Sequence, residues 1–284
     1  KRASAIGLGL VKESGHIGAR RAVEQDGAKL QAVARSVPVT TGARLGEIFL
    51  EWAVRHTQLE LAHYFDNARV LFFSGMAHQR LATSMSEYTD NLQFADPLLQ
   101  LGVPKLLTSL DALNLYASGA HYVSDWTRPR VVPAAMLKQW RHFILRKAMQ
   151  SASVVVAPVH ELDDFDLEDL AGKTIITSTV NDERLARFKD KGVQMVIDGA
   201  PMMAGHVLGP DLIDAMIIAA SGKDGDDLLD DDYLEIVTEL QIEPRILYPN
   251  GVRRLNRFAF VIHPLSQEYF KKIKPIELLS RVSP

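Results

Sequence analysis

A chain of 284 residues, 47% hydrophobic and 24% charged, is long enough for one large domain or two medium ones. Its composition is too ordinary for a disordered or collagen-like protein. The 32 Lys and Arg against 35 Asp and Glu leave a formal charge of −3, without the basic footprint of a nucleic-acid binder. No apolar run of about 18 residues marks a membrane span. The absence of cysteine excludes disulfides, thiolate zinc sites, iron–sulfur clusters and a cysteine nucleophile. Lys1 opens directly into domain-like sequence with no methionine before it. The expectations are therefore no secretory leader, a start inside a longer natural sequence, and a cytoplasmic chain.

In chain order, short runs rich in Val, Ile and Phe predict strands at Ala5–Leu10, Val37–Thr41, Arg69–Phe73, Leu92–Ala95, Ser153–Ala157, Lys173–Thr177, Val193–Ile197 and Phe258–Ile262. Several lack polar alternation, as strands covered on both faces of a parallel sheet do. Helical patterns lie between them. Leu45, Ile48, Phe49, Trp52, Ala53 and His56 follow one helical face, and Leu137, Trp140, Ile144 and Ala148 repeat the pattern. From Asn181 to Gly192 a cap, an acidic first turn, a basic last turn and a closing glycine predict a complete helix. Leu212–Ala220 is apolar almost all round, which predicts a buried helix. The alternation makes the fold class α/β, a doubly wound and mostly parallel sheet. Residues 1–66 are expected to form a smaller N-terminal α/β unit and 67–243 a nucleotide-binding-sized domain, with 105–135 as an excursion or lid. Residues 244–284 read as a C-terminal arm or the start of a further domain.

Ligands of open parallel sheets bind outside the carboxyl ends of the strands. That rule selects Thr41–Gly42, Ser74–Gly75, Asp96, Ala157–His160, Thr177–Thr179 and Asp198–Pro201, where small or hydroxylated residues let backbone N–H groups approach a phosphate. The same residues also serve plain tight turns. The loop GAPMMAGHVLGPD, Gly199–Asp211, runs from a strand into a helix opened by Pro210 and Asp211, with Gly205 and Gly209 just upstream. No dinucleotide fingerprint is complete: Gly7-Leu8-Gly9 lacks the third glycine. His160 follows a strand end and precedes Glu161, Asp163, Asp164 and Asp166, a setting in which an imidazole can move protons. The nine histidines contain no HExxH, and His56 with His63 lacks a third ligand, so no metal is expected. Asp224, Asp226, Asp227, Asp230, Asp231 and Asp232 do not have calcium-loop spacing and read as a solvated loop capping the helix at Tyr233–Leu240.

The pieces LAGKTIITSTVNDERLARFKDKGVQMVIDGAP, AGHVLGPDLIDAMIIAASGK and DDDYLEIVTELQIEPRIL follow ARVLFFSGMA, LQFADPLLQLGVP and VPVTTGA in fixed order. In that order and spacing, over roughly residues 5–247, the chain resembles the quinate 5-dehydrogenase-like family, related to shikimate dehydrogenases. The resemblance implies a Rossmann-like domain and NAD or NADP acting with a small polar alcohol or ketone. The family's glycine and hydroxyl positions carry over to Gly42, Gly75, Asp96, Thr177, Thr179, Gly205 and Gly209, with Ser74 beside Gly75 in the same turn. Its strand-end histidine carries over to His160. His160 and Asp96 are thereby the expected proton-handling residues, and the glycines, Ser74 and the threonines the expected cofactor contacts. Pro158 stands where the family has an acidic residue. The tail RFAFVIHPLSQEYF is similar to a segment at the start of long-chain acyl-carrier reductases, which use a cysteine absent here.

Three readings stay open on the sequence. One is an NAD(P)-dependent oxidoreductase with a small-molecule substrate. Another is a non-catalytic Rossmann-like binding or scaffold subunit, an oligomer or part of a larger assembly. The third is part of an acyl-thioester reductase.

Overall fold

The computed structural model describes residues 6–7, 37–123, 134–158, 161–162, 170–203, 206–221, 223, 227–239 and 245–251. Residues 1–249 form one compact unit and 250–284 another; every element below belongs to the first. Strands β1 (Ile6–Gly7) and β2 (Val39–Thr40) pair in parallel. Helix α1 (Ala43–Glu60) follows, then β3 (Val70–Phe72), α2 (Gln79–Ser86), β4 (Leu92–Phe94), and three helices: α3 (Asp96–Gln100), α4 (Leu110–Val123) and α5 (Ala134–Ser151). After them come β5 (Val154–Val156), β6 (Thr174–Thr177), α6 (Asp182–Asp190) and β7 (Met195–Asp198). A small hairpin of β8 (Met202–Met203) and β9 (His206–Val207) leads to α7 (Pro210–Ser221), α8 (Asp230–Glu239) and β10 (Arg245–Leu247).

Six strands form one sheet in the order β10-β7-β6-β5-β3-β4. All are parallel except β10, which runs antiparallel to β7. The register explains the uninterrupted apolar runs. Leu71, Val155, Ile175 and Val196 lie in one cross-strand row, and Phe72, Val156, Ile176 and Ile197 in the next. Successive side chains point to opposite faces. The first row packs with Leu145, Ala148 and Met149 of α5 and Phe188 of α6. The second packs with Leu50, Ala53 and Val54 of α1, Leu81 and Met85 of α2, and Leu113 of α4. Both faces are thus covered, and the β-branched residues read as strands because each has an apolar partner above or below.

Helix α1 faces two ways. Its Leu45, Ile48 and Phe49 join Ile213, Ile217 and Ile218 of α7 and Tyr233 and Val237 of α8 in a further apolar cluster. Helix α7 is less buried than its composition predicts: Leu212 and Met216 are 46% and 49% exposed, because only one face meets α1 and α8. The aspartate run divides by use. Asp230 begins α8 and pairs with Arg44 of α1 and Arg80 of α2, while Asp232 accepts the Leu229 N–H and meets Lys223. Within 105–135, α4 takes up residues 110–123; 124–133 and the strand expected at 258–262 lie outside the described residues.

Candidate functional site

The chain reverses its direction of travel across the sheet between β3 and β5. From β3 it moves outward through α2 to β4, then returns through α3, α4 and α5 to β5 on the other side of β3. The carboxyl ends of β3 and β5 therefore flank the position where open parallel sheets bind ligands. Ser74 and Gly75 leave β3 there, and Glu161 lies beyond β5. The Ser74 hydroxyl donates to Glu161, at 3.1 Å from Oε1 and 3.3 Å from Oε2.

Asp96 joins them from the end of β4. Its Oδ2 accepts the Gly75 N–H at 2.8 Å, and its Oδ1 accepts the Met76 N–H at 2.9 Å and Gln100 Nε2 at 3.2 Å. Tyr116 of α4 donates to Gln100 Oε1 at 3.2 Å, so a chain of hydrogen bonds runs from α4 through α3 to the β3 loop. Asp96 is fully buried. Burial pushes its carboxyl up to about 6, although the Met76 and Gly75 N–H groups pull the other way. Burial, then the neighbouring Asp96 charge, pushes the Tyr116 hydroxyl up to about 12. Gly75 has no room for a side chain: a Cβ would stand 2.3 Å from Phe94 Cδ1.

A second aspartate repeats the arrangement between β6 and β7. Asp198, fully buried at the end of β7, accepts the N–H groups of Thr179 at 2.8 Å, Ala200 at 2.9 Å and Val180 at 3.0 Å. Arg245 of β10 pairs with the same carboxylate and also donates to the Val180 carbonyl. Burial pushes the Asp198 carboxyl up, against the pull of the N–H groups and Arg245. Thr179 adopts φ 63°, a left-handed turn that aims its N–H back at Asp198. The Thr177 hydroxyl is buried with no hydrogen-bond partner among the described residues.

Gly42 and Gly209 meet elsewhere, where α1 and α7 begin. Gly42 has φ 66°, and a Cβ there would fall 2.2 Å from the Asp211 nitrogen; one at Gly209 would fall 2.3 Å from Asp211 Oδ1. Gly42 is needed for the close approach of the two helix starts, whereas a side chain at Gly209 would meet only the carboxylate end of Asp211 on its own helix. Nearby, Thr40 and Tyr233 both donate to the buried Asp214 carboxylate.

The predicted positions thus form three groups: Ser74, Gly75 and Asp96; Thr177 and Thr179; Gly42 and Gly209. His160 and Gly205 lie outside the described residues. The sequence pointed to Asp198 at a strand end and to Glu161 after His160, but not to the pairings that complete the first two groups: Glu161 with Ser74, Gln100 with Asp96, and Arg245 with Asp198. An aspartate within two residues of a strand end was a visible signal for Asp96 and Asp198. Which loop each would gather depended on strand order. Among the described residues no three His, Asp or Glu side chains converge as a metal site.

A family model described as Domain of unknown function (DUF8754) matches residues 44–249. The chain belongs to that family. The DUF8754 span begins just after Gly42 and contains both aspartate-centred groups, all six strands of the main sheet and α7 and α8. No curated protein and no solved structure matches the chain. Among the described residues no helix is long and apolar enough to cross a membrane.

Proposed function

We propose that the chain is a non-catalytic, Rossmann-like subunit of a larger assembly, in which the polar residues at the strand ends hold the loops closed. One observation carries the reading: the N–H groups that would cradle a phosphate already have internal anionic partners. Gly75 and Met76 donate to Asp96, and Thr179, Val180 and Ala200 donate to Asp198. A phosphate arriving at either loop would have to displace a buried carboxylate from its hydrogen bonds and would be repelled by its charge. Exposed apolar residues, Trp140 and Phe143 on α5 and Leu212 and Met216 on α7, supply surface for partner contacts.

A second reading has an observation of its own. Asp96, with its carboxyl near 6 and its place beside the switch point, has the proton affinity of a general acid or base at neutral pH. It favours an NAD(P)-dependent oxidoreductase of the quinate/shikimate dehydrogenase-like type acting on a small polar alcohol or ketone, with the β3 loop opening to admit ligand.

Thermal melting of the full chain with NAD, NADP, AMP and quinate, together with sedimentation, separates the two. The scaffold reading expects no rise in midpoint with any of them and a species heavier than the 31.6 kDa chain. A ligand at a hundred times its Kd stabilises the native state by about 2.7 kcal/mol, an easily measured shift. Such a shift with NADP or NAD, absent with AMP, would replace the scaffold with the dehydrogenase. A strictly monomeric chain would remove the assembly.

A further inference from the structure

We propose that a binding site lies at the amino edge of the sheet, opposite the switch point, and takes a small zwitterion of the α-amino-acid class. A cavity of about 180 Å³ opens there, between the starts of β3 and β4 and the turn leading into β5. Its buried lining includes Leu92 and Ala152, and its exposed lining Arg69, Asp90, Thr108 and Ser151. Cavities of about 150 Å³ admit a six-carbon ring, so this one holds a molecule of about six to eight non-hydrogen atoms.

The two charges decide the ligand class. Arg44, Arg55, Arg80, Arg187 and Arg245 each reach a carboxylate. Among the described residues the Arg69 guanidinium meets no carboxylate and the Asp90 carboxylate no cation, and the two make no salt bridge with each other although they line one cavity. The Arg69 backbone is nevertheless held firmly: its N–H donates to Ser153 Oγ at 3.1 Å, and its carbonyl accepts the Ser153 and Val154 N–H groups. An unpaired guanidinium on a fixed backbone is suited to a two-pronged hold on a carboxylate. Asp90 offers the complementary acceptor to an ammonium group in the same space. A zwitterion satisfies both charges at once, its short side chain lying towards Leu92 and Ala152. A simple anion or cation leaves one of them unmatched.

The site is independent of the switch-point reading and is tested on the full ¹⁵N-labelled chain by titration with L-alanine, acetate and ethylammonium. The readout is the amide signals of Asn91, Ser151 and Ala152. L-alanine is expected to give saturable shifts, with each half-molecule binding at least about tenfold more weakly, a difference of about 1.4 kcal/mol. Arg69→Gln and Asp90→Asn should each abolish the L-alanine shifts. Both positions are exposed, and unchanged signals elsewhere report an intact fold. Absence of saturable shifts with L-alanine, acetate binding as tight as L-alanine binding, or binding that survives both substitutions would each overturn the proposal.

Discussion

Asp96 concentrates most of what individual residues contribute at the switch point. It has no accessible surface and no cationic partner among its hydrogen bonds, only two backbone N–H groups and the Gln100 carboxamide. Desolvation therefore wins over hydrogen bonding, and the carboxyl rises from 3.8 to about 6. A carboxyl that binds its proton more tightly in the folded state stabilises the fold most when protonated. That contribution is complete below about pH 4, where the unfolded chain is also protonated, and is lost as pH rises through about 6. The loss reaches about 3 kcal/mol at 1.36 kcal/mol per pH unit. Urea denaturation between pH 4 and 7 should show it as a wild-type decline relative to Asp96→Asn, which cannot titrate. Parallel pH profiles would show that Asp96 keeps an ordinary carboxyl. The contact of Glu161 with Ser74 could not be read from its neighbours in the chain, because it spans 87 positions.

Elements with local determinants were legible in advance. Helix α6 is the clearest: Asn181 accepts the Arg184 N–H at 2.9 Å, Asp182 and Glu183 fill the first turn, Arg187 and Lys189 the last, and Gly192 closes it at φ 73°. Asn181→Ala should lower stability by about 1 kcal/mol, seen as a lower urea midpoint at unchanged slope. An unchanged midpoint would mean that Arg184, which also bonds the Thr179 carbonyl, holds the helix start by itself. Strands β5, β6 and β7 were equally visible, since runs such as Val154-Val155-Val156 have few uses other than a strand buried on both faces. Strand β10 was not: its three half-buried residues follow Pro244 and carry no strand-like run. It forms because the outer edge of β7 offers unpaired backbone groups and Asp198 offers Arg245 a counter-charge.

At the scale of the whole molecule, two buried aspartates tie together loops that the sheet brings side by side. The Asp198 group also carries β10. Removing Asp198 strands three N–H groups and a guanidinium whose side chain is only 15% exposed, whereas removing Arg245 leaves the carboxylate its backbone donors. Asp198→Ala should cost about 3–5 kcal/mol, and Arg245→Met clearly less. Chemical denaturation of the two variants checks the order, and equal losses would show that the ion pair rather than the N–H cage dominates. The amino-acid sequence by itself determined the α/β class, most strands of the sheet and the capped helix α6, because apolar periodicity and capping act over a few neighbouring residues. Strand order, and with it the pairing of Asp96 with Gly75, Asp198 with Thr179 and Gly42 with Asp211, was decided only by the tertiary structure. Those contacts join positions between 19 and 169 residues apart, and no local preference encodes which strand ends become neighbours.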